Sequence, residues 1–246
     1  MSDLLARVLD AHGGRHNWAT VTGITAHMEL GGPFWEMRGW PNIYEDQTVS
    51  LDVRRQHITF TPFTGPGLSS VLDVGPERVA IVAADGRVTD ERDEPRRSFP
   101  LPFDPFTTRW DALQVAYFTS AAVWNYLTEP FGLSDPGVEV EEIEPWHEDG
   151  ETWRRLAVTF PPSNANHNRT QVFYYGYDFM QRRMDYSPDV TGNPPICHYT
   201  DRYRSFDGFV FPTRRRVYLH DPKGIANQDL ALITIDVDSV KAEVGS

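Results

Sequence analysis

The chain has 246 residues, of which 40% are hydrophobic, 24% charged and 13% aromatic, and its formal net charge is −12 at pH 7. This acidic balance disfavours nucleic acid and anionic membrane surfaces as partners, because both require a basic face. A single cysteine excludes an internal disulfide, and no apolar run approaches the roughly 20 residues that a membrane-spanning helix needs.

The first predicted element is a helix over residues 2–12. Ser2 is a suitable N-cap, and four apolar residues share one helical face: Leu4, Leu5, Val8 and Leu9. Gly13-Gly14 ends the helix, and we interpret His12 as a cation that suits the helix C-terminus rather than as a ligand. The segment lacks the basic start and apolar run of a signal peptide, so we expect a cytoplasmic protein.

Residues 22–93 show an apolar pattern with a period of two, interrupted by turn-forming tripeptides and tetrapeptides. This pattern predicts a meander of short antiparallel strands. The predicted strands are GITAHMEL, FWEMRGW, IYEDQTVSLDV, HITFTPF, LSSVLDV and RVAIVAA. Residues 91–105, first charged and then rich in proline, are predicted to be a connector.

Residues 108–128 break the strand pattern and predict the one long helix. Its apolar face carries Trp110, Leu113, Tyr117, Ala121, Trp124 and Leu127. Thr107 or Thr108 is the expected cap, and Pro130 ends the helix. Because this face must be buried, we expect the helix to pack against the sheet.

Strands return in the second half of the chain. They are predicted at 138–144, 153–160, 170–179, 182–188, 196–204, 209–220 and 230–244. The expected fold class is mainly β with α, an α+β fold. A large curved antiparallel sheet forms an incomplete barrel, plugged by the N-terminal helix and the central aromatic helix. We expect one domain over 1–246, with a helical insertion at about 105–131.

Two stretches resemble the LolA/LolB-like lipoprotein-localisation superfamily: 9-LDAHGGRHNW-18 and 199-YTDRYRSFDGFVFPTRRRVYL-219. Within the second stretch, Tyr203-Arg204, Asp207-Gly208-Phe209 and Pro212 match the hairpin that is typical of such proteins. The resemblance implies an incomplete β-barrel closed by helices around an apolar cavity that binds acyl chains or other hydrophobic molecules. The chain departs from the family pattern in lacking an export signal and a lipid-attachment cysteine.

Candidate catalytic residues lie among the late strands. No phosphate-binding or nucleophile-elbow motif occurs, and the eight histidines are scattered, so we expect neither a cofactor nor a metal. His167, His198 and Tyr186 are candidates for acid–base catalysis if they face one cavity. The alternative interpretation is that these three residues are half-buried and hydrogen-bonded for structural reasons only. Whether the two histidines meet stays open.

Candidate ligand-binding residues come from the aromatic surplus, because ligand cavities are lined by apolar and aromatic side chains. A filled barrel core is the alternative. The candidates are Trp35, Trp40, Phe60, Tyr117, Trp124, Tyr174 and Arg214. In a strand, Arg215 faces opposite to Arg214 and Arg216, and one inward arginine could hold a carboxylate.

Two functions follow from these residues. The first is binding of a hydrophobic or aromatic small molecule in the half-barrel. The alternative is a cofactor-independent isomerase, cyclase or hydrolase that uses histidine and tyrosine in the same cavity. Side-chain alternation along the strand at 196–204 allows two versions of the site. In one version His198 faces inward, and in the other Cys197, Tyr199 and Tyr203 face inward.

Overall fold

The structure, a computed structural model, describes residues 2–245. The helices are α1 (Asp3–Ala11), α2 (Arg15–Trp18), α3 (Pro33–Arg38) and α4 (Ala112–Thr128). The strands of the first half are β1 (Val21–Gly31), β2 (Tyr44–Asp52), β3 (His57–Thr61), β4 (Leu68–Val74), β5 (Glu77–Ala83) and β6 (Val88–Asp93). Those of the second half are β7 (Glu139–Glu148), β8 (Glu151–Thr159), β9 (Thr170–Tyr175), β10 (Gln181–Tyr186), β11 (Ile196–Phe206), β12 (Phe209–Leu219) and β13 (Ile233–Val244).

The strands form one antiparallel sheet in the order β6-β5-β4-β3-β2-β1-β13-β12-β11-β10-β9-β8-β7. Pairing of β1 with β13 brings the two ends of the chain to the middle of the sheet. Within the described residues the outermost strands, β6 and β7, do not pair with each other, so the barrel is incomplete. The predicted fold class is confirmed. None of the helices in this part of the chain has both the length and the apolar character that a membrane crossing requires.

Helix α4 lies on one face of the sheet, which we call the inner face. All of its residues from Leu113 to Thr128 are buried. The helix packs mainly against β3–β6, and the indole of Trp124 donates a hydrogen bond to the carbonyl oxygen of Asp52 at 2.8 Å. The predicted plug is therefore present, and the sheet and the connecting segments enclose it on all sides.

The N-terminus of α4 is capped by Asp111, not by the expected Thr107 or Thr108. The Asp111 carboxylate accepts a hydrogen bond from the backbone N–H of Gln114, and the Gln114 side chain accepts one from the N–H of Asp111, both at 2.9 Å. This reciprocal pair satisfies two N–H groups at the helix end. Because the cap comes later than expected, the helix begins at Ala112.

Helix α1 confirms Ser2 as its cap, since the Ser2 hydroxyl accepts a hydrogen bond from the N–H of Leu5 at 3.1 Å. His12 ends the helix as expected, but it is buried rather than a solvated cation. Burial lowers the pKa of His12, and its Nδ1 lies 2.8 Å from the carbonyl oxygen of Val8, to which it donates. The imidazole is therefore neutral at pH 7.

Two predicted boundaries in the first half are wrong. Residues 34–40, expected to be a strand, contain helix α3, because Gly32 and Pro33 start a helix there. The connector expected from residue 91 begins inside β6, which ends at Asp93. Strand β6 is an edge strand with mostly exposed side chains, so it lacks the apolar alternation that reveals a strand.

The inner face of β11 carries His198, whose ring lies 4.9 Å from that of Tyr126 on α4. Cys197 and Tyr199 lie on the outer face. Arg202 has φ +55° and is skipped in the pairing with β12. The left-handed backbone at Arg202 turns Tyr203 to the inner face, where its ring lies 6.0 Å from that of His12 and its hydroxyl lies 3.1 Å from that of Thr200. Its expected position beside Cys197 and Tyr199 is therefore wrong.

Candidate functional site

Two small voids lie in the interior at the boundary between α4 and strands β1, β12 and β13. We call this boundary the seam. It is lined by Met28, Ala122, Val123, Tyr126, Val217 and Ile235. The two voids, of about 10 and 20 Å³, share Val123, Tyr126 and Ile235. Voids of this size accommodate one or two water molecules and no ligand.

The three predicted catalytic residues come together at the seam. The His167 and Tyr186 rings stack with centroids 5.0 Å apart, and the Tyr186 hydroxyl lies 3.3 Å from that of Tyr126. Tyr126 also contacts the edge of His198. The two histidines therefore meet through a pair of tyrosines, of which Tyr126 belongs to α4 and could not be assigned to the cluster by strand alternation.

The protonation states of this cluster do not suit proton transfer near pH 7. Burial lowers the pKa of His167 to about 3 and that of His198 well below its ordinary value. Burial also raises the pKa values of Tyr126 and Tyr186. An efficient acid or base has a pKa near the working pH. All four groups are neutral instead, and they form a wall of aromatic rings.

His198 is the most isolated polar side chain of the cluster. It is 0% exposed, and neither ring nitrogen has a hydrogen-bond partner among residues 2–245. A buried polar group without a partner costs about 1–3 kcal/mol. The wall of the seam is therefore not a fully satisfied core, and it retains hydrogen-bonding capacity.

Of the predicted aromatic ligand-binding residues, one lies at the seam and the others lie elsewhere. Trp35 lines the seam. Phe60, Tyr117 and Trp124 instead belong to the tightly packed side, between α4 and β2–β5: the Tyr117 hydroxyl donates to Glu77 at 2.8 Å, and the Phe60 ring is 0% exposed. Trp40 binds the start of α4 through its indole N–H, 2.8 Å from the carbonyl oxygen of Trp110.

Tyr174 and Arg214 lie on the outer face of the sheet, away from the seam, and their role in ligand binding stays a prediction. The Tyr174 hydroxyl donates to Asp185 Oδ2 at 2.6 Å. Arg214 pairs with Asp201 at 3.2 Å, and both side chains are largely exposed. Their strands alternate as expected, but nothing local to either strand indicates which face α4 covers.

The inward arginine of β12 is Arg215, as the alternation of Arg214, Arg215 and Arg216 allows. Its Nη2 donates to Glu129 Oε2 at 3.1 Å and to the carbonyl oxygen of Tyr126 at 3.0 Å. The guanidinium also lies 4.7 Å from the centroid of the Tyr126 ring. Arg215 therefore connects β12 to the C-terminal end of α4, across the seam.

A cleft of about 550 Å³ lies outside the seam and next to His167. Its walls are mixed: the polar side chains of Glu77, Arg96, Asn166 and Asp189 lie beside the apolar side chains of Val74, Pro162 and Ala165. Arg96 is occupied by internal partners, with Asp189 at 2.7 Å and the carbonyl oxygen of Asn166 at 2.6 Å.

Metal ligation has no support in the side-chain geometry of residues 2–245, where no three histidine, cysteine, aspartate or glutamate side chains are grouped to hold an ion. Cys197 is buried, and burial raises the pKa of its thiol to about 12. The thiol is therefore protonated at neutral pH, which agrees with a packing role.

No protein-family model matches the chain, and no curated protein does. Among solved structures, a DUF1329 family protein from Desulfovibrio piger shares 12% identity at a TM-score of 0.52, over 100% of this chain and 95% of that one. A domain assigned to outer membrane lipoprotein-sorting proteins, from Vibrio parahaemolyticus, shares 10% identity at a TM-score of 0.52, over 99% and 92%. A LolA superfamily protein from Nitrosomonas europaea aligns at 10% identity and a TM-score of 0.44, over 99% and 93%.

At such low identity the likeness concerns the fold. The predicted resemblance to lipoprotein-localisation proteins is confirmed at that level: the chain has a LolA/LolB-like fold.

Proposed function

We propose that this chain, with the fold of lipoprotein-sorting proteins, binds a hydrophobic small molecule in the seam between α4 and the inner face of β1, β12 and β13. The observation that carries the proposal is the asymmetric packing of α4. The helix is packed closely on β3–β6, whereas its boundary with the other half of the sheet contains voids and apolar side chains.

Protein interiors are normally packed as densely as crystals of small organic molecules. Voids between two packed surfaces therefore mark the place where the fewest van der Waals contacts are lost when those surfaces separate. A ligand that enters the seam replaces contacts between apolar side chains by contacts with its own apolar surface. The inner wall offers Trp35, Tyr126 and Val217 for this purpose. The Vibrio protein is assigned to lipoprotein sorting, and an apolar seam is suited to the acyl part of such a cargo.

The enzyme alternative is not adopted. His167 and Tyr186 do meet at the seam, but burial moves the pKa of the histidine down to about 3 and that of the tyrosine well up. A base this weak and an acid this weak transfer protons slowly at neutral pH. The same neutral rings serve well as an apolar wall.

Filling the seam tests the proposal. Ala122 borders the larger void, which is too small for the three added carbon atoms, so we expect Ala122→Leu to lower the free energy of unfolding by about 1–3 kcal/mol and to block the ligand. With N-phenyl-1-naphthylamine, a neutral apolar fluorophore, we expect wild-type protein to bind at micromolar concentration and Ala122→Leu to bind at least about tenfold more weakly. Fluorescence titration at pH 7.5 measures both.

Ala121→Leu is the matched control. Ala121 lies four residues after Tyr117 and three before Trp124, so it shares the closely packed side of α4. Overpacking there is expected to cost about 1–3 kcal/mol and to leave the affinity for the fluorophore unchanged while the protein is folded. Equal affinities of the two variants, or no binding by wild-type protein, would contradict the proposal.

A further inference from the structure

Arg38, at the end of α3, is a buried cation of an unusual kind. It is 1% exposed, yet residues 2–245 place no carboxylate within ion-pairing distance of it, and its Nε and Nη1 have no hydrogen-bond partner there. Its Nη2 donates to the carbonyl oxygen of Pro105. Burial lowers the pKa of Arg38 to about 10, with a smaller lowering by the neighbouring Arg109 and a small opposite effect of the Asp104 carboxylate, which lies beyond ion-pairing distance. The guanidinium is therefore still charged at pH 7.

The other two buried arginines of the described chain are paired. Arg183 binds Asp185 at 2.6 Å and Glu148 at 2.9 Å, and Arg215 binds Glu129 at 3.1 Å. A buried charge without a counter-ion is strongly unfavourable. Two of the buried arginines thus have ion-paired carboxylates, whereas the third has only the more distant Asp104. The unpaired donors of this third cation are therefore available for an anion from outside.

Aromatic rings hold the Arg38 guanidinium in place. Its central carbon lies 4.6 Å from the centroid of Phe103, 5.2 Å from that of Phe34 and 5.6 Å from that of Trp110. Cation–π contacts stabilise the charge only in part, by about 0.5–2 kcal/mol. We call Arg38 and these three rings the arginine cage.

The arginine cage adjoins the seam. The Phe34 ring lies 5.3 Å from Trp35 and stacks at 5.4 Å on Phe118, and both Trp35 and Phe118 border the larger void. One ring, that of Phe34, therefore separates Arg38 from the apolar side chains of the proposed binding site. A molecule with its apolar body against Trp35 would reach the cage with its end.

The segment that closes the cage carries apolar side chains outward. It contributes Phe103 and the carbonyl of Pro105 to Arg38, while Leu101 is 71% and Phe106 is 76% exposed. These side chains extend the apolar surface beside the cage. The surroundings of Arg38 thus combine one cation with apolar contacts, which is the complement of an anionic amphiphile.

We propose that Arg38 binds the anionic head group, an oxyanion such as a carboxylate or phosphate, of an amphiphilic ligand whose apolar part lies in the seam. The inference rests on the proposed function. A guanidinium donates charge-assisted hydrogen bonds to an oxyanion. The unpaired Nε and Nη1 of Arg38 lie on different edges of the guanidinium, and each supplies one such donor. The ligand class is then an anionic amphiphile rather than a neutral lipid.

Two fluorophores with the same skeleton test this inference. 8-Anilino-1-naphthalenesulfonate differs from N-phenyl-1-naphthylamine in carrying a sulfonate. For wild-type protein at pH 7.5 we expect the anionic probe to bind about tenfold more tightly than the neutral one. We expect Arg38→Gln to weaken binding of the anionic probe by about tenfold and to leave the neutral probe within twofold, since a charge-assisted hydrogen bond is lost.

Arg97→Gln is the control, because it removes one positive charge from a side chain that is 79% exposed. It should change neither affinity by more than twofold. Displacement of the anionic probe by dodecanoate and by dodecyl phosphate distinguishes a carboxylate from a phosphate head group, and dodecanol should displace it much less.

The outcomes separate the two proposals. Binding of the neutral probe with no preference for the anionic one overturns the role of Arg38 and leaves the apolar site standing. Failure of both probes to bind overturns the proposed function itself. If Arg38→Gln does not fold, the ratio of the two affinities in wild-type protein still decides, and Arg38→Lys, which keeps the charge without the planar fork, should bind the anionic probe with intermediate affinity.

Discussion

Replacing Arg215 by methionine is expected to lower the free energy of unfolding at pH 7 by about 3–5 kcal/mol. The Arg215 side chain is 4% exposed and that of Glu129 is 10% exposed, so the variant leaves a buried carboxylate without its cation. The carbonyl oxygen of Tyr126, which Arg215 binds at 3.0 Å, loses its donor as well. Urea denaturation followed by circular dichroism measures the change.

Two companion variants identify the cause. Arg214→Met removes the neighbouring arginine from the outer face, where its partner Asp201 is 48% exposed, and should cost less than about 1 kcal/mol. The double variant Arg215→Met with Glu129→Met should recover most of the loss, because no charge is then left buried. An Arg215→Met variant as stable as Arg214→Met would show that the buried pair does not hold α4 to β12.

The loss in Arg215→Met should also depend on pH. Burial raises the pKa of Glu129, an effect that Arg215 partly offsets in the wild-type protein. Without Arg215 this pKa rises further, so the carboxyl group takes up a proton more readily in the folded state than in the unfolded chain. The destabilisation relative to wild type is therefore expected to be smaller at pH 5 than at pH 8.

Mild acid is expected to destabilise the protein through its buried histidines. His167 stays neutral in the folded protein down to about pH 3, whereas in the unfolded chain it takes up a proton near its ordinary pKa of 6.5. Its stabilising contribution is complete above pH 6.5 and is lost progressively as the pH falls toward 3. Each such group lowers the free energy of unfolding by about 1.4 kcal/mol per pH unit in this window. His198, whose pKa is also lowered by burial, should add a similar slope.

The double variant His167→Phe with His198→Phe isolates this effect from the protonation of carboxylates. Between pH 6 and pH 4.5 its stability should fall less steeply than that of wild-type protein, by about 3 kcal/mol per pH unit. His16→Gln, on an exposed side chain, should follow the wild-type curve. Parallel curves for wild type and double variant would mean that these histidines accept protons without unfolding. Histidine proton resonances, followed by NMR over the same range, then report their pKa values directly.

Local patterns in the sequence are sufficient for most of the architecture. Period-two alternation and turn residues predict the strands, because side chains alternate between faces within any strand. The apolar run of residues 108–128 predicts the helix that becomes α4, because it is too long and too periodic for a strand. The same alternation predicts that Arg215 points away from Arg214 and Arg216, as it does. Where the local signal is weak, as in the exposed edge strand β6 and in the short helix α3, the prediction fails.

Which residues form the site depends on contacts between segments that are far apart in the sequence. Alternation says that Tyr174 and Phe173 face opposite ways, and only the position of α4 decides which of the two is inside. A single residue with left-handed backbone, Arg202, reverses the face of Tyr203. The meeting of His167 and His198 requires Tyr126 from α4. The enclosure of Arg38 by aromatic rings depends on the packing of Phe103 and Trp110 around it. Residue types and spacings determine which elements form, whereas burial, pairing and protonation depend on which elements pack together, and those contacts join residues far apart in the sequence.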